Sequence, residues 1–408
     1  GLPDMVRNDY KDRLAKAWLA HAQADLEAEQ FEQARTSATA LNVWDASEQA
    51  AGIIASASAA LEVKKLIDLK EFEQAGKLLA DSGDKLPKAI HERLHAIIVD
   101  GASKSLPRLG PDTPYAEVIA ATGKFLKANP GNPAGLKLRF DAGLAQVKAI
   151  EELLAKAAAG DPASDATFEM LKQLVKRAKS LDDALQMTPY KNVADKNDAH
   201  IRAQAFRLIG QAHELMDDPT GAFSAYGYLA NPAKAQPEQL ELLLARIEFL
   251  YNPRWERYRS DLGIQPASRA QDLTRFSIRA LEILAEAEAG PELRARAYAD
   301  RGLAHAVRSR LNLPKEERET ELAGGRDALK IALATLKQYK LTNKDDWLWK
   351  YELAYVLWAQ RFQSDKNKFT LGGEATPLLE DALKTAPASE KPRIMDLIKD
   401  IEISLKKK

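Results

Sequence analysis

The string His91-Glu92-Arg93-Leu94-His95 is the segment of this sequence whose residue types and spacing match a catalytic motif. On a helix, the separation of His91 and His95 places both imidazoles on one face, where they could bind zinc while Glu92 acts as general base on a bound water. No later His follows at the spacing of an extended zinc motif, and Arg93 adds a positive charge that disfavours a nearby cation. A zinc-dependent peptidase is therefore the alternative hypothesis, and an ordinary exposed helix turn is the favoured interpretation.

A second candidate is segment 251–259, in which three Arg residues alternate with three aromatic residues, Tyr251, Trp255 and Tyr258. Arg residues interleaved with aromatic rings can hold phosphates and stack bases, so an RNA-binding helical repeat protein is the second alternative. The favoured interpretation is a loop or short helix whose rings pack inward while its Arg residues stay solvated or pair with acids. A protein-binding insertion that uses Arg254 and Trp255 is the remaining hypothesis.

The composition narrows the function classes further. Lys plus Arg and Asp plus Glu each count 59, so the formal net charge is zero, which argues against a dedicated nucleic-acid or anionic-membrane binder. The absence of Cys excludes Cys nucleophiles, Cys-ligated zinc and iron–sulfur clusters. No apolar run of about 18 residues occurs. We expect a soluble protein without membrane insertion and without a cofactor, in the cytoplasm or in an extracytoplasmic compartment.

The elements that must position these residues are helices. Apolar residues recur at spacings of three and four within stretches rich in Ala, Leu, Glu and Lys, whereas the alternation typical of strands is nearly missing. Short segments rich in Pro, Gly, Asn and Asp interrupt these stretches at regular intervals. The sequence predicts an all-α fold of seventeen helices, arranged as eight antiparallel pairs and one last helix. At 408 residues, the chain is too long for a single growing core, which favours several domains or a repeat array.

Internal repetition supports the repeat array. The string Phe31-Glu-Gln-Ala34 returns at 72–75, a shift of 41 residues, and the clearest longer match lies in the middle of the chain. That match consists of Phe206, Ile209, Gly210 and His213, followed by Ala222, Tyr226 and Leu229. The pattern resembles the tetratricopeptide repeat (TPR), a helical hairpin in which small residues such as Gly210 and Ala222 let two helices approach closely.

The resemblance implies a right-handed α-solenoid of about eight TPR-like hairpins and a C-terminal capping helix. Segment 1–130 would hold the N-terminal hairpins, and 131–251 would hold the middle ones, including a degenerate pair and the well-matched repeat. Segment 252–268 would be an insertion or hinge, and 269–408 would hold the C-terminal hairpins and the cap.

The resemblance also implies a function. Hairpins stacked in a solenoid form a concave groove, lined by the first helix of each pair, that binds an extended peptide or a helix of a partner. We therefore expect a non-enzymatic protein–protein interaction scaffold whose partner is a protein or peptide. The residues predicted to line the groove are Arg207, Gln211, Tyr351, Tyr355 and Trp358. The last three share one helix face, and core packing beside Trp347 and Trp349 is the favoured alternative for them.

Overall fold

The computed structural model describes residues 4–44, 47–108, 115–129, 131–161, 163–186, 196–259, 261–286, 289–362 and 368–406. Within these ranges every regular element is a helix, and no strand occurs. The prediction of an all-α fold is therefore confirmed. None of the helices in these ranges combines the length and apolar composition that crossing a bilayer requires.

The described ranges contain seventeen α-helices, the number that the sequence predicts. They are α1 (Asp4–Glu27), α2 (Phe31–Trp44), α3 (Glu48–Asp68), α4 (Phe72–Asp81), α5 (Lys88–Ser105), α6 (Tyr115–Ala128), α7 (Pro133–Ala159), α8 (Asp165–Gln186), α9 (Lys196–Leu215), α10 (Pro219–Tyr226), α11 (Leu240–Tyr251), α12 (Pro266–Glu286), α13 (Pro291–Ser309), α14 (Lys315–Tyr339), α15 (Asp346–Ala359), α16 (Lys368–Thr385) and α17 (Lys391–Lys406). Short 3₁₀ turns lie between some of them, including one at Pro253–Tyr258.

The chain divides into two compact units, residues 1–145 with 184–193 and residues 146–183 with 194–408. In the first unit, helices α1 to α5 each pack against the next, and α1, α3 and α5 also contact one another in order. Fully buried Ala residues lie in the core of this unit, including Ala22, Ala34 and Ala60. Because an Ala side chain is a single methyl group, helices that meet at Ala residues can approach closely.

The second unit repeats this packing over more helices. Each helix from α9 to α17 packs against its successor, and the odd-numbered helices α9, α11, α13, α15 and α17 also contact one another in order. One large apolar core runs through these helices. Trp255, in the 3₁₀ turn within the predicted insertion, belongs to this core and is buried. The favoured sequence interpretation, that aromatic rings of this segment pack inward, holds for Trp255.

A recurring turn joins the two helices of several hairpins. The residues Glu29, Lys70 and Asp217 have positive φ values of 61°, 61° and 57° and lie just before α2, α4 and α10. In each case the next residue donates its backbone N–H to the carbonyl five residues earlier, at 2.9 Å. This hydrogen bond closes a Schellman-type helix end, which satisfies carbonyls that would otherwise lack a partner. The Phe31 and Phe72 copies of the duplicated string therefore follow turns of the same geometry.

Close helix approach occurs at Gly210, as the TPR resemblance implies for that residue. A Cβ atom built on Gly210 of α9 would lie 2.2 Å from the Tyr226 ring of α10, and Ala222 of the same hairpin is fully buried. Gly302 of α13 is similar, because a Cβ there would lie 2.5 Å from the Leu329 side chain of α14. At both positions only glycine leaves room for the facing side chain.

Candidate functional site

The His91–His95 motif lies on α5, in the first unit. His91 is partly exposed, whereas Glu92 and His95 are exposed. Arg93 donates to the Glu27 carbonyl at 3.3 Å and pairs with Glu29 at 2.9 Å. Among the described residues, no group of three or more His, Cys, Asp or Glu side chains is arranged to hold a metal ion. The two imidazoles thus lack a third ligand in that part of the chain, and the zinc hypothesis has no geometric support there.

Arg207 and Gln211, predicted to line the groove, lie on α9. The Arg207 guanidinium donates to Gln204 at 2.7 Å and to Gln211 at 3.2 Å, and it also pairs with Glu151 of α7 and, at 3.4 Å, with Glu241 of α11. Because these partners hold Arg207 in place, it fixes the position of the Gln211 amide. Gln211 in turn lines a cavity described below.

The three aromatic residues predicted on α15 differ in exposure. Tyr351 and Trp358 are buried; the Tyr351 hydroxyl accepts a hydrogen bond from Arg393 at 3.0 Å, and Trp358 Nε1 donates to Asp400 at 2.7 Å. Tyr355 is partly exposed, and the Arg310 guanidinium lies 4.0 Å from its ring centroid. For Tyr351 and Trp358 the geometry is that of core packing. A role of Tyr355 in partner binding stays a prediction.

Arg254 and Trp255 also differ. The Arg254 side chain is 49% exposed, donates to Asp217 at 2.8 Å and covers the Trp255 ring at 4.5 Å from the ring centroid. The Trp255 ring is buried, with its centroid 6.0 Å from that of Phe249. Arg254 is therefore the residue of this pair that a partner could reach.

A cavity of about 300 Å³ lies in the second unit, beside the ends of α9 and α11 and the start of α15. The residues that line it include aliphatic, aromatic and polar side chains. The aromatic ones are Tyr226, Phe249, Tyr251, Trp347 and Trp349, and the polar or charged ones are Gln211, Glu214, Glu248, Asn252, Arg254, Lys344 and Asp345. Its volume is at the low end of the range for ligand pockets, which suits one small molecule or one side chain of a larger partner.

Sequence reasoning identified Gln211 and Arg254 of this cavity as binding residues and missed its acidic side chains. Glu214, Glu248 and Asp345 are separated by more than 30 residues from one to the next along the chain, and acidic residues are common on solvated helix faces. No local spacing therefore distinguishes them. The ends of α9 and α11 and the start of α15 bring them together only when the hairpins pack.

The acidic residues of the cavity differ in their hydrogen-bond and ion-pair partners. Arg296 of α13 forms two hydrogen bonds with Glu248, at 2.8 and 3.0 Å, and the Tyr226 hydroxyl donates to Glu214. Burial is the main cause that raises the pKa of the Glu214 and Asp345 carboxyl groups above their usual range. Their surroundings therefore supply less positive charge than their ionised forms require.

Asp300 of α13 lies next to this group of acids. It is 1% exposed, and its Oδ2 has no hydrogen-bond partner in the described part of the chain. Burial and the charges of Glu248 and Asp345 raise its pKa well above the usual range, against the opposing effect of Arg296. A buried carboxyl group in this situation is destabilising when it is ionised.

We expect Asp300→Asn to stabilise the protein at neutral and alkaline pH. A carboxyl group whose pKa is raised by folding binds its proton more tightly in the native state, so its contribution to stability falls as pH rises from the unfolded value of about 3.9 through the folded one. Asparagine removes this penalty. We expect the variant to gain about 1 kcal/mol in free energy of unfolding at about pH 8 and to lose most of that advantage near pH 4, close to the unfolded pKa.

Urea unfolding followed by circular dichroism at both pH values measures this difference. Asp396→Asn on α17, where the side chain is exposed, is the matched control and should leave stability unchanged at either pH. A variant of Asp300 that is less stable than wild type at the higher pH would contradict the expectation.

A buried ion network lies in the same unit. Glu352 of α15 is fully buried; one carboxylate oxygen pairs with Arg310 at the end of α13 and the other accepts from Arg393 of α17 at 3.3 Å. Arg393 also donates to Tyr351, and the burial of Tyr251 beside Glu352 raises the pKa of that tyrosine well above its usual range. One carboxylate thus connects three helices.

Comparison with known proteins gives no matching family model and no matching curated sequence. The TPR resemblance therefore depends on the repeated residues and on the way the helices pack.

Proposed function

We propose that this protein is a non-enzymatic scaffold of TPR-like hairpins that binds a peptide or helix of a partner protein. The observation that carries the proposal is the packing of the second unit. Each helix from α9 onward contacts its successor, and the odd-numbered helices contact one another in order. Stacked hairpins of a solenoid pack in this way, because the first helices of successive pairs lie side by side.

The cavity supports a binding role for the surface formed by these first helices. Elsewhere most residues of the first helices α11 and α15, and about half of those of α13, are buried. The cavity interrupts this packing and carries polar groups, Gln211 and Arg254 among them. Binding sites of proteins commonly combine apolar walls with a few convergent polar groups in this way.

Site-specific photo-cross-linking tests the proposal. A photoreactive amino acid at Arg254 places the reactive group at the cavity, where the native side chain is 49% exposed. The matched control carries the same amino acid at Lys337, an exposed position on α14, the second helix of its hairpin. After irradiation in an extract of the source cells, we expect a discrete cross-linked protein from position 254 and none from position 337.

The captured protein then supplies the peptide for a binding titration with purified wild-type protein. Cross-links of equal yield from both positions, or from neither, would contradict binding of a partner at the first helices.

A further inference from the structure

We infer that the cavity beside α9, α11 and α15 binds an organic cation, the guanidinium or ammonium group of a basic side chain. This inference deepens the proposed scaffold function, on which it rests for the source of the cation. The observations that carry it are the composition of the cavity wall, the balance of charge around it and the helix ends that border it.

The wall combines the two kinds of group that bind organic cations in proteins. Tyr226, Trp347 and Trp349 provide aromatic rings, and a cation over such a ring is attracted by its negative face. Glu214 and Asp345 provide carboxylates, which form charge-assisted hydrogen bonds with ammonium and guanidinium groups. With a volume of about 300 Å³, the cavity holds one such head group and part of its alkyl chain.

Charge within the cavity is not balanced by the protein. Arg296 neutralises Glu248 through two hydrogen bonds, and Arg254 pairs with Asp217. Glu214, Asp345 and the neighbouring Asp300 have no ion pair within the described residues. Lys344 is the remaining cation of the lining. Its charge favours the ionised forms of Glu214 and Asp345, but its side chain is exposed and forms no ion pair with either carboxylate. The charge of Arg296 also acts on Asp345 and Asp300, but neither carboxyl group pairs with it. Glu214 and Asp345 of the lining therefore have no ion-pair partner in the described part of the chain.

Two helix ends at the cavity add partial negative charge to that of the acidic side chains. The last residues of α9 and α11, Leu215 and Tyr251, line the cavity, and the C-terminal end of a helix carries a partial negative charge. The start of α15, with its partial positive charge, also borders the cavity beside Asp345 and offsets part of this effect. The raised pKa values of Glu214 and Asp345 agree with a site that lacks a cation, because a bound positive charge would favour their ionised forms.

Calorimetric titration of the full chain with small probes tests the inference without any partner protein. Nα-acetyl-arginine amide and Nα-acetyl-lysine amide represent a basic side chain, and spermidine represents a free amine. Nα-acetyl-citrulline amide has nearly the shape of the arginine probe without its charge. We expect the arginine probe to bind with a dissociation constant of about 0.1–1 mM, and the citrulline probe to bind at least about tenfold more weakly.

Three conservative variants show in which direction the affinity for the arginine probe depends on the charge of the cavity. Glu214→Gln and Asp345→Asn keep the size of the side chain and should each weaken binding of the arginine probe about tenfold. Lys344→Gln removes the competing positive charge and should strengthen binding about threefold. The exposed Glu402→Gln on α17 is the matched control and should leave the affinity unchanged. A purely structural role of these residues would not produce opposite changes.

The outcomes separate the hypotheses. Tighter binding of spermidine than of the amino-acid amides would assign the site to a free amine and would still support a cation site. Equal binding of the citrulline and arginine probes, or no saturable binding of any probe by folded wild-type protein, would overturn the inference. Failure here would leave the scaffold proposal to the cross-linking experiment, and failure of cross-linking would leave the titration result intact.

Discussion

Glu352→Ala should lower the free energy of unfolding by about 3–5 kcal/mol, the largest effect we expect from a single substitution in this chain. The Glu352 carboxylate is fully buried, and it pairs with Arg310 and Arg393 on two other helices. Its removal leaves two guanidinium groups, whose side chains are 30% and 39% exposed, without the counter-charge that Glu352 supplies. The partial desolvation of those groups, the loss of both ion pairs and the space that alanine leaves unfilled together produce the effect.

Urea unfolding at neutral pH, followed by circular dichroism, measures the loss. Glu352→Gln separates charge from packing, because it keeps the side-chain volume and removes only the negative charge. Glu374→Ala is the surface control, since Glu374 is about half exposed and pairs with Lys330 at 3.5 Å. It should change stability by less than about 0.5 kcal/mol. A Glu352→Gln variant as stable as wild type would refute the importance of the buried charge.

The network around Glu352 also shows where prediction from sequence ends. Helix number and type were predictable, because the spacing of apolar residues is a local signal that packing does not alter. Gly210 was predictable as a close-contact residue, because the repeat pattern marks it. The pairing of Glu352 with Arg393 could not be predicted, because the two residues are 41 positions apart and the chain contains many other charged residues. Long-range charge pairing is decided by tertiary packing alone.

The turns between hairpin helices were also hidden from sequence reasoning. Gly and Pro usually mark helix ends, but Glu29, Lys70 and Asp217 adopt the left-handed conformation that normally favours glycine. Hydrogen bonds of the helix end and packing of the next helix outweigh the cost of this conformation. For Glu29 and Lys70 the duplicated Phe-Glu-Gln-Ala string was a signal, because equal sequences after the turn favour equal turns before it. Asp217 had no such signal.

The cavity shows a third limit. Gln211 and Arg254 were identified from the groove and from the aromatic segment, whereas the acids Glu214 and Asp345 carry no pattern of their own. Tyr351 and Trp358 were predicted to line the groove but are buried, because an aromatic stripe on a helix fits both a binding face and a core. Burial in the packed hairpins decides between a binding face and a core position. The periodicity of a single helix contains no information about that burial.

Gly210→Ala should destabilise the protein by about 3 kcal/mol, at the upper end of the range for overpacked cores. Judged by helix propensity alone, the same substitution would stabilise α9 by about 1 kcal/mol. The sign is reversed because the new methyl group would lie 2.2 Å from the buried Tyr226 ring, so that α9 and α10 must separate or the ring must move. Thermal unfolding and urea unfolding both report the change.

Gly373→Ala is the matched control for Gly210→Ala. Gly373 lies inside α16, and a Cβ there meets no heavy atom within 4 Å, so alanine should stabilise the protein by about 0.5–1 kcal/mol. Tyr226→Leu combined with Gly210→Ala should recover part of the loss, because the smaller side chain gives the methyl group room. If both glycine variants were stabilised alike, the close approach of α9 and α10 would be disproved.

Since Tyr226 both fills that contact and donates to Glu214 in the cavity wall, Gly210→Ala should also weaken binding of the arginine probe.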